Sequence, residues 1–599
     1  MNLENIMDTN GKIAKLRAEM KARDLDAYVI PSTDPHISEY VPEHWSSRSY
    51  MSGFNGSAGT FVVTMSKSGL WTDGRYFLQA ENQLSGSEVE LHRLGNAGVL
   101  DFPDWLCHNL AKGNTVGFDG SVFQTSLAES LRSKLQDYEI KINTHFDLIK
   151  DVWKDRPGLP KNTIFEQPTK FSGESALSKI ERIRTDLKDN NADTIILSAL
   201  DDICWTFNIR GNDVNFNPVC LAYSIITLSK VVLYIYPEKV PTQVKDNLSS
   251  IGIEFKNYDD FIKDVSAIVK SKIFYDKQRT NYKIYETIDK NSNKLILGLS
   301  IPTKFKSQKN PIEIANIKSA MVRDGVAIAN FQYWFENAFA KGEELDELKV
   351  MSKLRSYRAE QDMFFGESFN TIAGFASNGA IIHYGASEET SKKIDDSALF
   401  LLDSGGQYLD GTTDITRVFH LGTPTKEEKT DYTNVLKGMI DLNMAVFPRG
   451  TRGSQLDVLA RKALWDRFEN YKHGTGHGVG CFLNVHEGPQ NIRTEENSTQ
   501  LEIGMICSDE PGLYRAGKWG IRIENLVAVS SAVSSEFDEF YKFDNLTLYH
   551  IELKLVEKEL LTEKQVKWLN DYNNEVFTKI SPFLTEEKKK WLEEKTKAI

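Results

Sequence analysis

The strongest constraint on the fold is a repeat inside the N-terminal half. Residues 12–34 (KIAKLRAEMKARDLDAYVIPSTD) align without a gap on residues 179–201 (KIERIRTDLKDNNADTIILSALD), 167 positions further on. Lys12/Lys179, Ile13/Ile180, Arg17/Arg184, Lys21/Lys188, Asp26/Asp193 and Asp34/Asp201 are identical, and most other pairs agree in polarity. Each copy reads as an amphipathic helix (Ile13, Leu16, Met20; Ile180, Ile183, Leu187) followed by a short strand (Ala27 to Ile30; Thr194 to Leu197). One helix–strand pair resembles many others. A gapless match over both elements, at domain-scale separation, implies a duplicated α/β domain.

The repeat sets the boundaries. Lys154-Asp-Arg-Pro-Gly-Leu-Pro-Lys161 is a Pro/Gly linker between the copies. Around Lys304 to Pro311 the chain turns polar before a long helical pattern, Ile312 to Phe339. The expectation is three domains: 1–155, a related domain at 162–305, and a third at 311–599 with a helical extension from about residue 550. A length of 599 residues allows this, at roughly 100–200 residues per domain. Capping-box spacings start helices at Thr425 (with Glu428) and Thr562 (with Gln565). The first pattern runs through Tyr432, Leu436 and Met439 to Phe447, and a second helical pattern, Leu456 to Leu464, follows Ser454. The tail residues Trp568, Leu569, Val576, Trp591 and Leu592 make a docked or partner-facing surface.

Charge and composition exclude several classes. Lys and Arg total 72 against 84 Asp and Glu, a net charge of −12, so nothing draws the whole chain to nucleic acid or to an anionic membrane. No apolar run approaches the roughly 20 residues of a membrane span. The opening Met1-Asn-Leu-Glu-Asn is no basic leader ahead of an apolar stretch, and the five cysteines never adopt metal or redox spacing. A cytoplasmic protein without a disulfide framework is expected.

Chemistry concentrates near the end. Five of the eleven histidines (His383, His420, His473, His477, His486) fall in little more than a hundred residues. In the same stretch an apolar run, Ala398 to Leu402, ends at Asp403, and Asp414 follows a Ser-Gly-Gly turn. Glu510 follows Met505-Ile-Cys-Ser-Asp, and Glu524 sits in Gly-Ile-Arg-Ile-Glu-Asn. There the two-residue period puts Arg522 and Glu524 on one face and Ile521 and Ile523 on the other. One acid among apolar strand residues reads as a cap or an ion-pair partner. Four such acids beside a Gly-embedded imidazole, His477, read as a ligand set, because buried carboxylates need a counter-charge. Four negative charges match two divalent cations. Oxygen donors with one imidazole favour a hard or borderline ion such as Mn²⁺. The strictly alternating Gly474, Gly476, Gly478 and Gly480 do not spell a dinucleotide fingerprint; they allow backbone to approach a ligand or bend a strand. His420, His36 and His44 read as structural, the last two at the surface.

Together Asp403, Asp414, His477, Glu510 and Glu524, in DSGGQYLDGTTDITR, HGTGHGVGCFLNVHEGP and GIRIEN, resemble the pita-bread metallopeptidases. More closely, the chain looks like the Xaa-Pro aminopeptidase (aminopeptidase P) family in its long, three-domain cytosolic form. SGFNGSAGT, WTDGRYFLQA, DDICWTFNIRGNDV and the charged tail look like that form too. The resemblance implies an α/β (α+β) architecture: two creatinase-like N-terminal domains and a C-terminal pita-bread domain holding two divalent metal ions, usually manganese. It implies that Asp403 binds one metal, that His477 and Glu510 mainly face the other, and that Asp414 and Glu524 bridge with help from Glu510. A hydroxide between the metals would attack the bond before proline, with Glu510 as general base. His383, His473 and His486 would contact substrate, His383 and His486 with catalytic roles; Arg522 would support a bridging carboxylate and Arg75 would line the substrate. Peptides beginning Xaa-Pro are the implied substrates and a homodimer the implied assembly. Prolidase, methionine aminopeptidase, a creatinase-like hydrolase and a non-catalytic pita-bread peptide-binding module are the alternatives.

Overall fold

Asp8 starts the first helix: its carboxylate accepts the Gly11 amide at 2.7 Å and caps Thr9–Lys21. The structure, a computed structural model, describes residues 7–599. Ile13, Leu16 and Met20 are buried at helical spacing, and the chain then enters the strand Ala27–Ile30. In the second copy Ser175 caps Ala176–Asp189, Ile180, Ile183 and Leu187 take the corresponding positions, and the strand is Thr194–Leu197.

The duplication extends to the whole topology. The first copy's strands, in chain order, are Ala27–Ile30, Thr60–Thr64, Ser68–Thr72, Val89–Arg93, Thr115–Gly117 and Lys141–Asn143. The second copy's are Thr194–Leu197, Tyr223–Thr227, Val231–Tyr234, Ile253–Lys256, Lys272–Tyr275 and Lys294–Leu297. Both sheets lie in the order fourth, third, second, first, fifth, sixth. In both, the first three strands pair antiparallel, and the remaining neighbours pair parallel. Parallel neighbours need crossovers, which helices such as Phe77–Gln83 and Thr125–Asp137 supply. Alternation explains the unbroken apolar strand runs. Tyr28, Ile30, Phe61 and Val63 join the core on one face of the first sheet, and Ala27, Val29 and Val62 join the core on the other.

The two copies form one compact unit, comprising residues to Glu166, Glu174–Asn215 and Val219–Pro302. Backbone bonds Thr125 N to Thr280 O (3.0 Å) and Tyr282 N to Phe123 O (2.8 Å) join them. His36 lies in this junction and not at the surface. Its Nδ1 donates to Ser198 O at 2.7 Å, Nε2 is 2.9 Å from the Tyr258 hydroxyl, and burial pushes its pKa down to about 3. The second copy's aromatic wall, Tyr223 and Tyr258, covers it, and no local pattern could disclose that. Cys204 and Cys220, distant by any redox spacing, bring their sulfurs to 3.8 Å.

The second unit comprises Gln167–Gly173, Phe216–Pro218 and Thr303–Ile599. The polar stretch before it is not a simple break. Lys306 and Lys309 are buried, and both pair with Glu487, at 3.0 and 2.5 Å. Asn310 and Glu313 then form a capping box for the helix Pro311–Ala340. The strands Ile372–Phe375, Phe400–Ser404 and Ile415–Phe419 form a three-stranded sheet. A six-stranded sheet runs Val446–Pro448, Glu539–Asn545, Asn525–Ser534, Ile506–Asp509, Gly476–Gly478, Glu487–Ile492. The helix capped by Thr425 spans Lys426–Asn443 and stops short of Phe447. Pro448 holds Phe447 extended, and Phe447 pairs with Tyr541 in the sheet.

The tail helices Glu563–Ile580 and Glu586–Lys595 dock on their own unit. Leu569, Val576 and Leu592 are fully buried in the main core, and the Trp591 indole donates to Glu336 at 2.8 Å. Among the described residues no helix is long and apolar enough to cross a membrane.

Helices Lys426–Asn443 and Gly453–Trp465 meet where a Cβ on Gly438 would stand 2.1 Å from Ala460 O. Alanine gains about 1 kcal/mol of helix propensity, whereas a backbone clash of this kind forces apart a packed pair at about 1–3 kcal/mol. Gly438→Ala therefore lowers the thermal midpoint by a few degrees; a raised midpoint would show that propensity outweighs the close approach.

Candidate metal centre and active site

Strand ends bring the chemistry together. Asp403 is the penultimate residue of Phe400–Ser404 and pairs in register with Thr416 on Ile415–Phe419, and Asp414 immediately precedes that second strand. His477 is the middle residue of Gly476–Gly478, Glu510 directly follows Ile506–Asp509, and Glu524 follows Trp519–Arg522. The alternating glycines serve the neighbouring strands. A Cβ on Gly476 would lie 2.0 Å from Ser508 O, and one on Gly478 2.1 Å from Glu487 O. Only glycine lets the His477 strand fit between the other two.

Ligand atoms of Asp414, His477 and Glu524 all lie within 4.8 Å of one another. His477 Nδ1 donates to Gly478 O at 2.9 Å, which fixes the tautomer and leaves Nε2 facing Asp414 at 3.3 Å and Glu510 at 3.7 Å. Asp403 Oδ2 accepts from Arg522 at 2.5 Å, while its buried Oδ1 accepts no hydrogen bond. Such an orphaned oxygen, aimed into a cluster of acids, fits a cation ligand.

The electrostatics agree. Burial, with repulsion from Asp414, Glu510 and Asp403, pushes Glu524 well above the carboxylate range. Burial also raises Asp403, against the pull of Arg522. Burial raises Glu510 to about 7, although His477 and Arg522 oppose the shift. For His477 burial disfavours the proton, but the Asp414 hydrogen bond and the charge of Glu510 outweigh it and lift the pKa to about 9. Without further cations these acids shed charge and the imidazole keeps a proton. Two divalent ions would reverse both tendencies, so the residues fit the ligand set.

Arg522 pairs with Asp403, and Glu510 stands 4.0 Å away. The same guanidinium donates to the Thr416 hydroxyl (3.2 Å) and to the Tyr514 hydroxyl (2.7 Å). Thr416 passes its own proton to Glu524 Oε2 at 2.8 Å. Tyr514 faces His473 Nε2 at 2.8 Å, and His473 Nδ1 donates to Gly474 O at 2.7 Å. Thr416 and Tyr514 thus link the acids to a candidate substrate histidine. Neither was singled out from the sequence, where a lone Thr and a lone Tyr carry no signal.

His486 packs edge-on to His477, ring centroids 4.4 Å apart. His383 lies on the segment between Ile372–Phe375 and Phe400–Ser404, next to Tyr384. Buried Glu347 organises that segment: it accepts the Phe375 amide (2.7 Å), the Asn378 side chain (3.0 Å), the Tyr384 hydroxyl (2.7 Å) and the Lys392 amide (2.9 Å). Arg75 belongs to the first unit, where Asp73 holds it through two bonds of 2.8 Å.

Models of the Creatinase/Prolidase N-terminal domain match residues 12–145 and 155–313. Metallopeptidase family M24 matches 315–531, and the C-terminal region of peptidase M24 matches 539–599. Aminopeptidase P2 of Arabidopsis thaliana is 40% identical over 94% of this chain and 84% of its own. A probable Xaa-Pro aminopeptidase P of Coprinopsis cinerea is 38% identical over 99% of each. The crystal structure of X-prolyl aminopeptidase from Caenorhabditis elegans, described as a cytosolic enzyme with a dinuclear active site, superposes with a TM-score of 0.95 at 32% identity, covering 99% of this chain and 100% of that one.

A cation at His477 Nε2 must displace the proton held there with a pKa of about 9. Metal affinity at this site therefore rises at least about tenfold per pH unit between pH 7.5 and 9, since His477, and with it the raised Glu524, must give up a proton. Titration calorimetry with Mn²⁺ in two buffers of different ionisation enthalpy reads the released proton. Affinity independent of pH over that window would remove His477 from the ligand set.

Proposed function

The chain belongs to the Xaa-Pro aminopeptidase family of M24 metallopeptidases, and we propose that Asp403, Asp414, His477, Glu510 and Glu524 hold the two divalent metal ions of its active site. It is a metal-dependent aminopeptidase that removes the N-terminal residue from peptides with proline in second position. The observation that carries the ligand assignment is the grouping of Asp414, His477 and Glu524 ligand atoms within 4.8 Å of one another, with Glu510 3.7 Å from His477 and a buried, orphaned oxygen on Asp403. When bound, the ion pair acidifies water and polarises the scissile carbonyl.

The chain's own residues do the rest. Asp403 would hold one ion, His477 and Glu510 would mainly face the other, and Asp414 and Glu524 would be shared with help from Glu510. Arg522 orients Asp403, and Thr416 orients Glu524. Glu510, between His477 and Arg522, takes the proton of the attacking water and returns it to the leaving nitrogen. That nitrogen needs it to leave as a neutral amine and not as an amide anion. His383, His473 and His486 contact the substrate, His383 and His486 with catalytic roles, and Arg75 lines its path.

Finer readings follow. Oxygen donors with a single imidazole suit manganese. Five free cysteines and the cytosolic C. elegans relative support a cytoplasmic setting. Exposed Trp465 and fully exposed Phe468, at the end of the helix Gly453–Trp465, support a homodimer. The domains are 1–155, 162–305 and 311–599. The prolidase-like and non-catalytic readings are not favoured, since relatives similar over the full length are aminopeptidases.

Stripping the protein with chelator and restoring Mn²⁺ should give release of arginine from Arg-Pro-Pro and none from Arg-Ala-Pro. Cleavage of neither peptide, with metal bound, overturns the reaction assigned. Glu510→Gln should leave the protein folded, by circular dichroism, and lower kcat at least about 10²–10⁴-fold, the range for losing a general base. Wild-type-like turnover would remove Glu510 from the mechanism.

A further inference from the structure

Glu524 is held at both ends by consecutive residues of one strand. Thr416 supplies its hydroxyl to the Glu524 carboxylate (2.8 Å) and its carbonyl to the Glu524 amide (3.2 Å). Arg417, whose side chain leaves the opposite face of the strand, donates to the Glu524 carbonyl at 2.7 Å. Arg417 is buried, and its other acceptors are Thr416 O (3.0 Å), Asn525 Oδ1 (2.9 Å), Tyr549 O (2.6 Å), His550 O (3.0 Å) and the Tyr572 hydroxyl (3.0 Å). None of the six is a carboxylate. A guanidinium without an ionic partner among its hydrogen bonds is placed by geometry: its planar fork fixes several carbonyls in one plane.

Three of those acceptors come from the C-terminal extension. Tyr572 lies on the helix Glu563–Ile580, stacked on Trp568 with ring centroids 5.0 Å apart. Its hydroxyl accepts a hydrogen bond from Arg417 and donates one to Tyr549 O at 2.7 Å. The extension therefore reaches the Glu524 carbonyl through Arg417.

We propose that the C-terminal extension is a positioning device for the metal centre, acting through Tyr572 and Arg417 on the backbone of Glu524. This rests on the reading of Glu524 as a metal ligand. Partners that orient a ligand typically govern metal affinity by about 10–100-fold. Residues 549–572 would thereby tune affinity without touching metal or substrate.

Tyr572→Phe removes one hydroxyl and keeps the ring stack. In metal-stripped full-length protein titrated calorimetrically with Mn²⁺, it should raise the dissociation constant of at least one ion about tenfold. Saturating Mn²⁺ should restore kcat with KM unchanged. Leu569→Ala, a buried neighbour on the same helix outside the network, serves as comparison. It should lower the unfolding midpoint of the metal-free protein while leaving the Mn²⁺ dissociation constant within twofold of wild type. Arg417→Lys keeps the charge and loses the fork, and should weaken Mn²⁺ more than Tyr572→Phe. An unchanged dissociation constant in Tyr572→Phe, with two ions bound by the wild type, overturns this proposal alone. Equal loss of affinity in Leu569→Ala also overturns it, because the extension would then act only through stability. No Mn²⁺ bound by the wild type overturns the proposal and the ligand assignment together.

Discussion

Four carboxylates share one buried space, and the architecture of the second unit answers their repulsion. Burial, with repulsion from the neighbouring carboxylates, raises the proton affinity of Asp403, Glu510 and Glu524. A folded chain tolerates such crowding only where counter-charges and hydrogen bonds hold the acids in place. Arg522 and His477 supply part of this, and the ligand geometry leaves room for the cations that supply the remainder.

The surroundings make sense in that light. Strands end at the acids, so each carboxylate projects from rigid backbone. Glycines let the His477 strand close between its neighbours, where any Cβ would collide with carbonyls. Thr416 and Tyr514 convert the charges of Arg522 and Glu524 into fixed directions. Glu347 ties down the segment that bears His383, using one carboxylate for four donors. Precision here comes from residues whose own chemistry is unremarkable in isolation.

The first unit illustrates a different economy. One strand order and one pattern of parallel and antiparallel pairing serve two copies whose sequences share little beyond a short window. What the copies retain is the periodicity: an amphipathic helix, then a strand that alternates between two cores. At their junction His36 of the first copy is covered by tyrosines of the second.

Local pattern determined a great deal. Helical spacing and the gapless repeat located the first helix and first strand of each copy, and capping boxes located two helices of the second unit, because periodicity and caps are properties of neighbouring residues. Acids and an imidazole among apolar strand residues and glycines disclosed the ligand candidates, because an unpaired buried charge is costly wherever it lies. The tertiary structure decided what depends on distant partners. It buried His36, ended the helix before Phe447, drew Lys306 and Lys309 inward to Glu487, and turned Arg522 toward Asp403. It also gave Thr416, Arg417 and Tyr514 their places. A hydroxyl or a guanidinium has no meaning until folding sets an acceptor within hydrogen-bonding distance, and those acceptors lie up to 155 residues away.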